Sequence, residues 1–183
     1  MTRAWIVAAF LATGVAPQTP PPPQTSQAPS QSIEGVRNYT KVDATVGCAG
    51  ATDPKALAGI ASYGYKSVLN LREATEEGAR IDESRSAAEA AGLKYIHLPF
   101  RGAAPDPKVV DEFLRAVSDT ANQPVFIHCG SANRVAGLWL VKRMLIDKWP
   151  EDRAVAEAKA IGLSSAALQK FALDYVATRK TAF

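Results

Sequence analysis

An α/β domain, with a mostly parallel central sheet flanked by helices, is the fold class this sequence predicts, on three observations. Short apolar runs of the type buried on both faces of a parallel sheet recur: KSVLNL at 66–71, LKYIHL at 93–98 and PVFIH at 124–128. Stretches with helical apolar spacing lie between and after them. Cap-and-proline pairs and glycines punctuate the alternation where helices should start and stop. Such an order implies right-handed crossovers, helices on both faces and ligand sites beyond the carboxyl ends of the strands.

The N-terminal stretch is a separate object. Met1 to Ala16 carries one charge, Arg3, then an apolar run and small residues suited to signal peptidase, so 1–16 reads as a secretory signal peptide. The run is well short of the roughly 20 residues that cross a bilayer. Residues 17–32, PQTPPPPQTSQAPSQS, are uncharged and proline-rich, which suits a linker, or in a sharper reading a ligand for proline-recognition modules. One folded domain over 33–183 is expected, periplasmic or secreted, with no membrane insertion after signal cleavage.

The 183 residues are 47% hydrophobic and 21% charged, which supplies a core and excludes a chiefly disordered chain. With 21 basic against 18 acidic side chains, the formal charge of +3 is too balanced for a dedicated nucleic-acid binder.

Within the domain, TKVDATVGC at 40–48 alternates apolar and polar residues and reads as an early strand. Thr52 or Asp53, followed by Pro54, caps a helix running to about Ser62 that buries Leu57, Ile60 and Ala61 and stops at Gly64. After the strand at 66–71 comes an alanine-rich helix over about 80–91, ended by Gly92. The strand at 93–98 leads through a loop at 99–105 to Asp106-Pro107, a second cap-and-proline pair. The helix it starts runs to about Ala121, with Val109, Val110, Phe113, Leu114 and Val117 on one face. The strand at 124–128 runs into a helix whose apolar spacing covers 135–146, with Trp139, Leu140 and Met144 in the core. Helices over about 152–161 and 164–178 complete the chain.

The chemistry concentrates in PVFIH-CGSANR, 124–134. Cys129 stands at the end of a buried strand, before a loop of small residues and a helix, facing backbone amides and the positive end of the helix dipole. That setting favours a thiolate. Arg134 adds a rigid fork of donors for an oxyanion, so the segment describes a nucleophile inside an anion cradle. Two cysteines and two histidines, with no CxxC and no His pair at helical spacing, make a structural metal unexpected. No motif implies an organic cofactor.

VFIHCGSANR at 125–134, with VLNLR at 68–72 and YIHLPF at 95–100, resembles the cysteine-dependent protein tyrosine and dual-specificity phosphatases, nearest to their bacterial phosphatase-like branch, over about residues 36–160. The resemblance implies a dual-specificity-phosphatase-like fold and a phosphorylated substrate, protein or small molecule. It implies that Cys129 attacks phosphorus, Arg134 clamps the phosphoryl oxygens and Asp106 protonates the leaving oxygen. His128 would order the loop and tune the thiol, and Gly130, Ser131, Ala132 and Asn133 would line the phosphate site.

Three departures accompany it. Four residues separate Cys129 from Arg134 where the family has five, a spacing shared with rhodanese-like sulfurtransferases. Val135 stands where the family has Ser or Thr to assist breakdown of the phosphoenzyme. Asp106 is also a ready helix cap. Sulfur transfer through a Cys129 persulfide and non-catalytic binding of phosphate or another anion are therefore the alternative readings. Among neighbours, Arg72 is expected to pair with Glu73, Glu76 or Glu77. His97 should be a core or sheet-edge residue and Asp111 a solvated helix residue. Cys48, at the end of the first strand, is a candidate disulfide partner protecting Cys129 in an oxidising compartment.

Overall fold

The computed structural model describes residues 32–180, so the signal-peptide reading and all of the linker but Ser32 lie outside the described residues. Two of the runs buried on every residue, β3 (Ser67–Asn70) and β5 (Val125–His128), take central places in one five-stranded sheet. β2 (Val46–Ala49) pairs parallel with β5, and β4 (Lys94–His97), partly exposed, forms the parallel edge beside β3. The opposite edge is β1 (Thr40–Lys41), antiparallel to β2, giving the order β1–β2–β5–β3–β4. Ala49 and Asn70 both lie opposite His128, so the chain leaves β2, β3 and β5 at one level and their loops gather at one edge.

The early strand expected over 40–48 is instead a hairpin. Asp43 Oδ1 accepts from both the amide and the hydroxyl of Thr45, at 2.8 Å each, and this side-chain turn reverses the chain without Gly or Pro. Asp53 rather than Thr52 caps the next segment, accepting from the Lys55 amide at 2.9 Å. A 3₁₀ turn, Pro54–Ala56, leads into α1 (Leu57–Ser62), in which Leu57 and Ile60 are buried and Ala61 is half-buried. α2 (Ile81–Ala90) ends before Gly92 at φ 74°, as the sequence predicts. α3 (Pro107–Ser118) stops short of Ala121 because Asp119 caps a separate 3₁₀ turn, Thr120–Asn122.

Alternation along β5 sorts the core. Val125, Ile127 and then Cys129 face α4 (Asn133–Leu145), while Phe126 packs with Ile60, Val68 and Ala88 on the α1/α2 side. α4 is buried along most of its length, between the sheet and the pair α5 (Glu151–Ile161) and α6 (Ala166–Lys180). Gly137 makes the α4–α6 crossing close, since a Cβ there would lie 2.8 Å from Leu168 Cγ.

At the far end of α4, buried Arg143 reaches three carboxylates: Glu157 at 2.7 Å, Asp147 at 2.8 Å and Asp43 at 3.1 Å. Its guanidinium lies 4.8 Å from the Trp139 ring centroid and 4.3 Å from that of Trp149. Asp111, expected to be merely solvated, is a tertiary partner. It accepts from Tyr175 Oη, and from Arg179 at 2.7 Å, which ties α3 to α6.

Candidate active site

In the loop after β5 the carbonyls of Gly130 and Ser131 are taken by neighbouring donors. Ala51 donates to the Gly130 carbonyl at 3.0 Å and Asn38 Nδ2 to the Ser131 carbonyl at 3.2 Å, while the Cys129 amide donates to Ala49 at 3.3 Å. Gly130 and Ser131 amides donate to no carbonyl among the described residues. Ala132, at φ 72°, turns the chain through the left-handed region into α4, whose first amides have no intrahelical acceptor. Amides converging before a helix N-terminus make an anion-binding concavity. Cys129 sits fully buried beneath it.

Arg134, in the first turn of α4, is held by two loops, the one after β3 and the one after β4. Its Nη1 donates to Glu76 Oε1 at 2.6 Å, to the Phe100 carbonyl at 3.1 Å and to the Leu71 carbonyl at 3.3 Å. Nη2 donates to Glu76 Oε2 at 2.8 Å. Burial alone would weaken the guanidinium as a base, but Glu76 and the neighbouring Cys129 thiol, with which it interacts, raise its pKa. Glu76 accepts further from Arg72 Nε at 3.2 Å and from the Glu73 amide at 2.8 Å. Burial would lift the Glu76 carboxyl, yet these donors hold it down at about 2.

Arg72, as the sequence suggests, pairs inward, its terminal nitrogens donating to the carbonyls of Glu77 and Gly78. His97 is a sheet-edge residue whose Nε2 lies 2.8 Å from the Arg72 carbonyl.

The site residues read from sequence separate into those that converge and those that do not. Cys129, Gly130, Ser131, Ala132 and Arg134 form the cradle and its arm. His128 does not face it: strand alternation turns its ring to the Phe126 side, 6.0 Å between centroids, opposite Cys129. Burial first, and the Arg72 and Arg134 charges next, push its pKa down to about 3, so the ring is neutral, with Nδ1 finding no partner among the described residues. Its backbone belongs to the site, through the Leu71 amide donating to the His128 carbonyl at 2.9 Å.

The Asn133 side chain is committed elsewhere, its Oδ1 accepting from the amides of Ser164 at 2.9 Å and Ser165 at 3.2 Å ahead of α6. Asp106 is exposed and caps α3, accepting from the Lys108 amide at 2.9 Å. The loop leading to Asp106 nevertheless packs on Arg134, where a Cβ on Gly102 would lie 3.3 Å from Cγ.

Cys48 and Cys129 are both free thiols. Cys48 pairs with Ile127, two residues short of Cys129 in the neighbouring strand, which spaces the two Cα atoms about 8 Å apart. That exceeds the roughly 7 Å limit for a bridge without backbone movement, so the expected disulfide does not fit the fold. Glu76 is the residue the sequence reading undervalued, naming it only as a partner for Arg72. Its signal is a carboxylate leaving β3 at the ligand edge of the sheet, beside two arginines in need of a counter-ion. Among the described residues no cluster of three or more His, Cys, Asp or Glu is placed to hold a metal.

A five-stranded, mostly parallel sheet whose β5 delivers a cysteine into an amide-lined loop, with an arginine one turn on, defines the cysteine-dependent phosphatase superfamily. The chain belongs to the family described as beta-lactamase hydrolase-like protein, phosphatase-like domain, whose model matches residues 38–146. Beta-lactamase hydrolase-like proteins from two strains of Xylella fastidiosa are each 31% identical to it over 104 residues, covering 56% of this chain and 24% of theirs. The chain thus aligns with about a quarter of the length of these relatives.

Among solved structures, a DUF442 protein of Shewanella putrefaciens CN-32 is similar, with TM-score 0.68, 18% identity, and coverage of 85% of this chain and 99% of the other. The core catalytic domain of the PP-IP phosphatase SIW14 of S. cerevisiae matches with TM-score 0.66 and 19% identity over 82% and 96% of the two chains. TpbA of P. aeruginosa in complex with phosphotyrosine matches with TM-score 0.63 and 17% identity over 85% and 91%.

Proposed function

We propose that this protein is an exported phosphatase that hydrolyses a phosphate monoester through a phosphocysteine. The observation that carries the reading is the convergence of buried Cys129, the loop amides and the Arg134 guanidinium at the N-terminus of α4. The Cys129 thiolate attacks phosphorus, the bond from phosphorus to the leaving oxygen breaks, and that oxygen takes a proton from Asp106 or water. Arg134 and the amides of the loop offset the charge on the equatorial oxygens, so catalysis rests on positioning and electrostatics. Water then attacks the phosphocysteine, releasing inorganic phosphate and restoring the thiolate. Val135 offers no hydroxyl for this second step, which is therefore the slow one.

Export is supported by the secretory pattern of residues 1–16 followed by the proline-rich spacer. The substrate is a phosphorylated protein or small molecule. The family membership and the phosphatase-fold neighbours support the reaction class.

The test is single-turnover reaction of the reduced protein with a generic aryl phosphate at mildly acidic pH, beside Cys129→Ser. Phenol release that requires Cys129, as a burst followed by slow turnover, is the expected result. The four-residue spacing to Arg134 favours a second reading, sulfur transfer, and thiocyanate formed from thiosulfate and cyanide without phenol release would replace the first reading with it. Silence in both assays with phosphate still bound would leave an anion-binding module.

A further inference from the structure

The loop over Cys129 contains a backbone conformation that residues with side chains avoid. Ala132 stands at φ 72° and is fully buried, and an L-residue other than Gly is strained there. Such a conformation persists only where the surroundings fix it from several directions. Gly162 closes one side, since a Cβ added to it would lie 3.2 Å from Ala132 Cβ. Another restraint comes from a distant part of the chain, residues 33–39.

Those residues form a strap laid across the segment that follows β2. The Arg37 amide donates to the Ala51 carbonyl at 2.9 Å, and the carbonyls of Arg37 and Gly35 accept from Gly50 at 2.7 Å and Asp53 at 2.8 Å. Ala51 donates onward to the Gly130 carbonyl, and an antiparallel bridge pairs Gly50 with Ser131. The layers are close: a Cβ on Gly50 would lie 3.2 Å from the Arg37 carbonyl oxygen and 3.3 Å from that of Gly130. Buried Ile33 anchors one end of the strap, and Tyr39, whose Oη lies 2.7 Å from Tyr65 Oη, anchors the other. From this strap the Asn38 side chain donates to the Ser131 carbonyl, 93 residues on, and it is the one donor that carbonyl receives among the described residues.

We propose that Asn38 is a positioning residue for anion binding: by holding the Ser131 carbonyl it fixes the peptide that leads into Ala132, and with it the curvature of the loop over Cys129. The inference rests on the phosphatase reading of the cradle. A trans peptide carries its C=O and N–H on opposite sides, so the bond to Asn38 turns the Ala132 N–H away from the strap. Without that donor the Ser131–Ala132 peptide is free to rotate toward an unstrained conformation, and the anion then has to restore the loop as it binds. The bond is exposed and 3.2 Å long, so it adds little to stability while it decides an orientation.

The test is inorganic phosphate titrated into the full chain, followed by calorimetry and by the Ala132 amide resonance in NMR spectra, with steady-state kinetics on an aryl phosphate. Asn38→Gly removes the donor and suits the φ of 50° at that position, so it does not strain the backbone. Tyr39→Phe cuts the strap's bond to Tyr65, leaves Asn38 in place and reports loosening of the strap alone. The expected result is phosphate affinity and kcat/KM lower by about three- to tenfold in Asn38→Gly, the size of one hydrogen bond, with near wild-type values in Tyr39→Phe. Saturating phosphate should shift the Ala132 amide in wild type and shift it less in Asn38→Gly.

Thermal melts confirm that each variant is folded at the assay temperature. A lower melting temperature in Asn38→Gly with phosphate affinity unchanged makes the bond merely structural and overturns the proposal, as does an equal loss of affinity in Tyr39→Phe. A wild-type protein that binds no phosphate overturns this proposal and the phosphatase reading together, whereas binding by wild type with no loss in Asn38→Gly overturns this proposal alone.

Discussion

The carboxyl of Glu76 links the cradle to acid stability, and the size of that link follows from its surroundings. Its ordinary pKa is 4.5, and the donors from Arg134, the Glu73 amide and Arg72 overcome the effect of burial to hold it at about 2. A difference of that size between folded and unfolded chains corresponds to about 3 kcal/mol of folding free energy, and the side chain's partial exposure trims this to about 2–3 kcal/mol. Because the folded-state pKa is the lower one, the contribution is fully present above pH 4.5 and is lost as the pH falls toward 2.

The perturbation is Glu76→Gln, which does not titrate and keeps the volume. Urea denaturation of the full chain at a series of pH values across this window gives the folding free energy of each protein. The wild-type curve should fall more steeply with acid than the variant's, and the gap between them should shrink by about 2–3 kcal/mol from the top of the window to the bottom. Two parallel curves would refute the reasoning, since they would mean that Glu76 is not paired in the folded protein.

Gly47→Ala places a Cβ 2.0 Å from Tyr65 Oη and should cost more than about 2 kcal/mol by denaturant midpoint, with Tyr65→Phe in the same chain restoring part of it. Removing Arg143 as Arg143→Met leaves Asp43, Asp147 and Glu157 around an apolar side chain, and a loss of about 3–5 kcal/mol in urea unfolding is expected. Asn133→Ala deletes the acceptor for the Ser164 and Ser165 amides, so hydrogen exchange at those two positions should quicken and stability fall by about 1 kcal/mol. Alkylation of the unreduced, denatured protein should find two free thiols, and Cys48→Ala should leave phosphatase turnover unchanged; a mass matching a Cys48–Cys129 bridge would contradict the strand register.

The parts of the fold that were legible in the sequence are those written in local chemistry. Val125 to Asn133 reads as strand, loop and helix because a short apolar run meets small residues that no helix interior needs, and Asp53-Pro54 and Asp106-Pro107 announce helix starts through the cap and the fixed proline φ. The hairpin at 40–49 was hidden because Asp43 makes its turn with a side-chain acceptor inside a stretch that otherwise alternates like one strand. Asp111 and Glu76 were hidden for another reason. Their partners, Tyr175 and Arg134, are 64 and 58 residues away, and no periodicity connects them. His128 shows the limit within one motif: its place beside Cys129 in the chain suggests a shared site, but β5 sends the two side chains to opposite faces.

The clamp of Trp139 and Trp149 on Arg143 makes the protein optically simple. The chain has three tryptophans, and the remaining one, Trp5, falls in the stretch read as a removable leader. Tryptophan emission from a chain without that stretch would arise from two indoles packed against cations, with Arg143 shared by both, Lys142 over Trp139 and Arg153 over Trp149, toward the end of α4 opposite Arg134. That emission is a built-in gauge of α4: a cradle ligand that shifts it has moved the helix as a body, and one that leaves it constant has been accommodated by the loop alone.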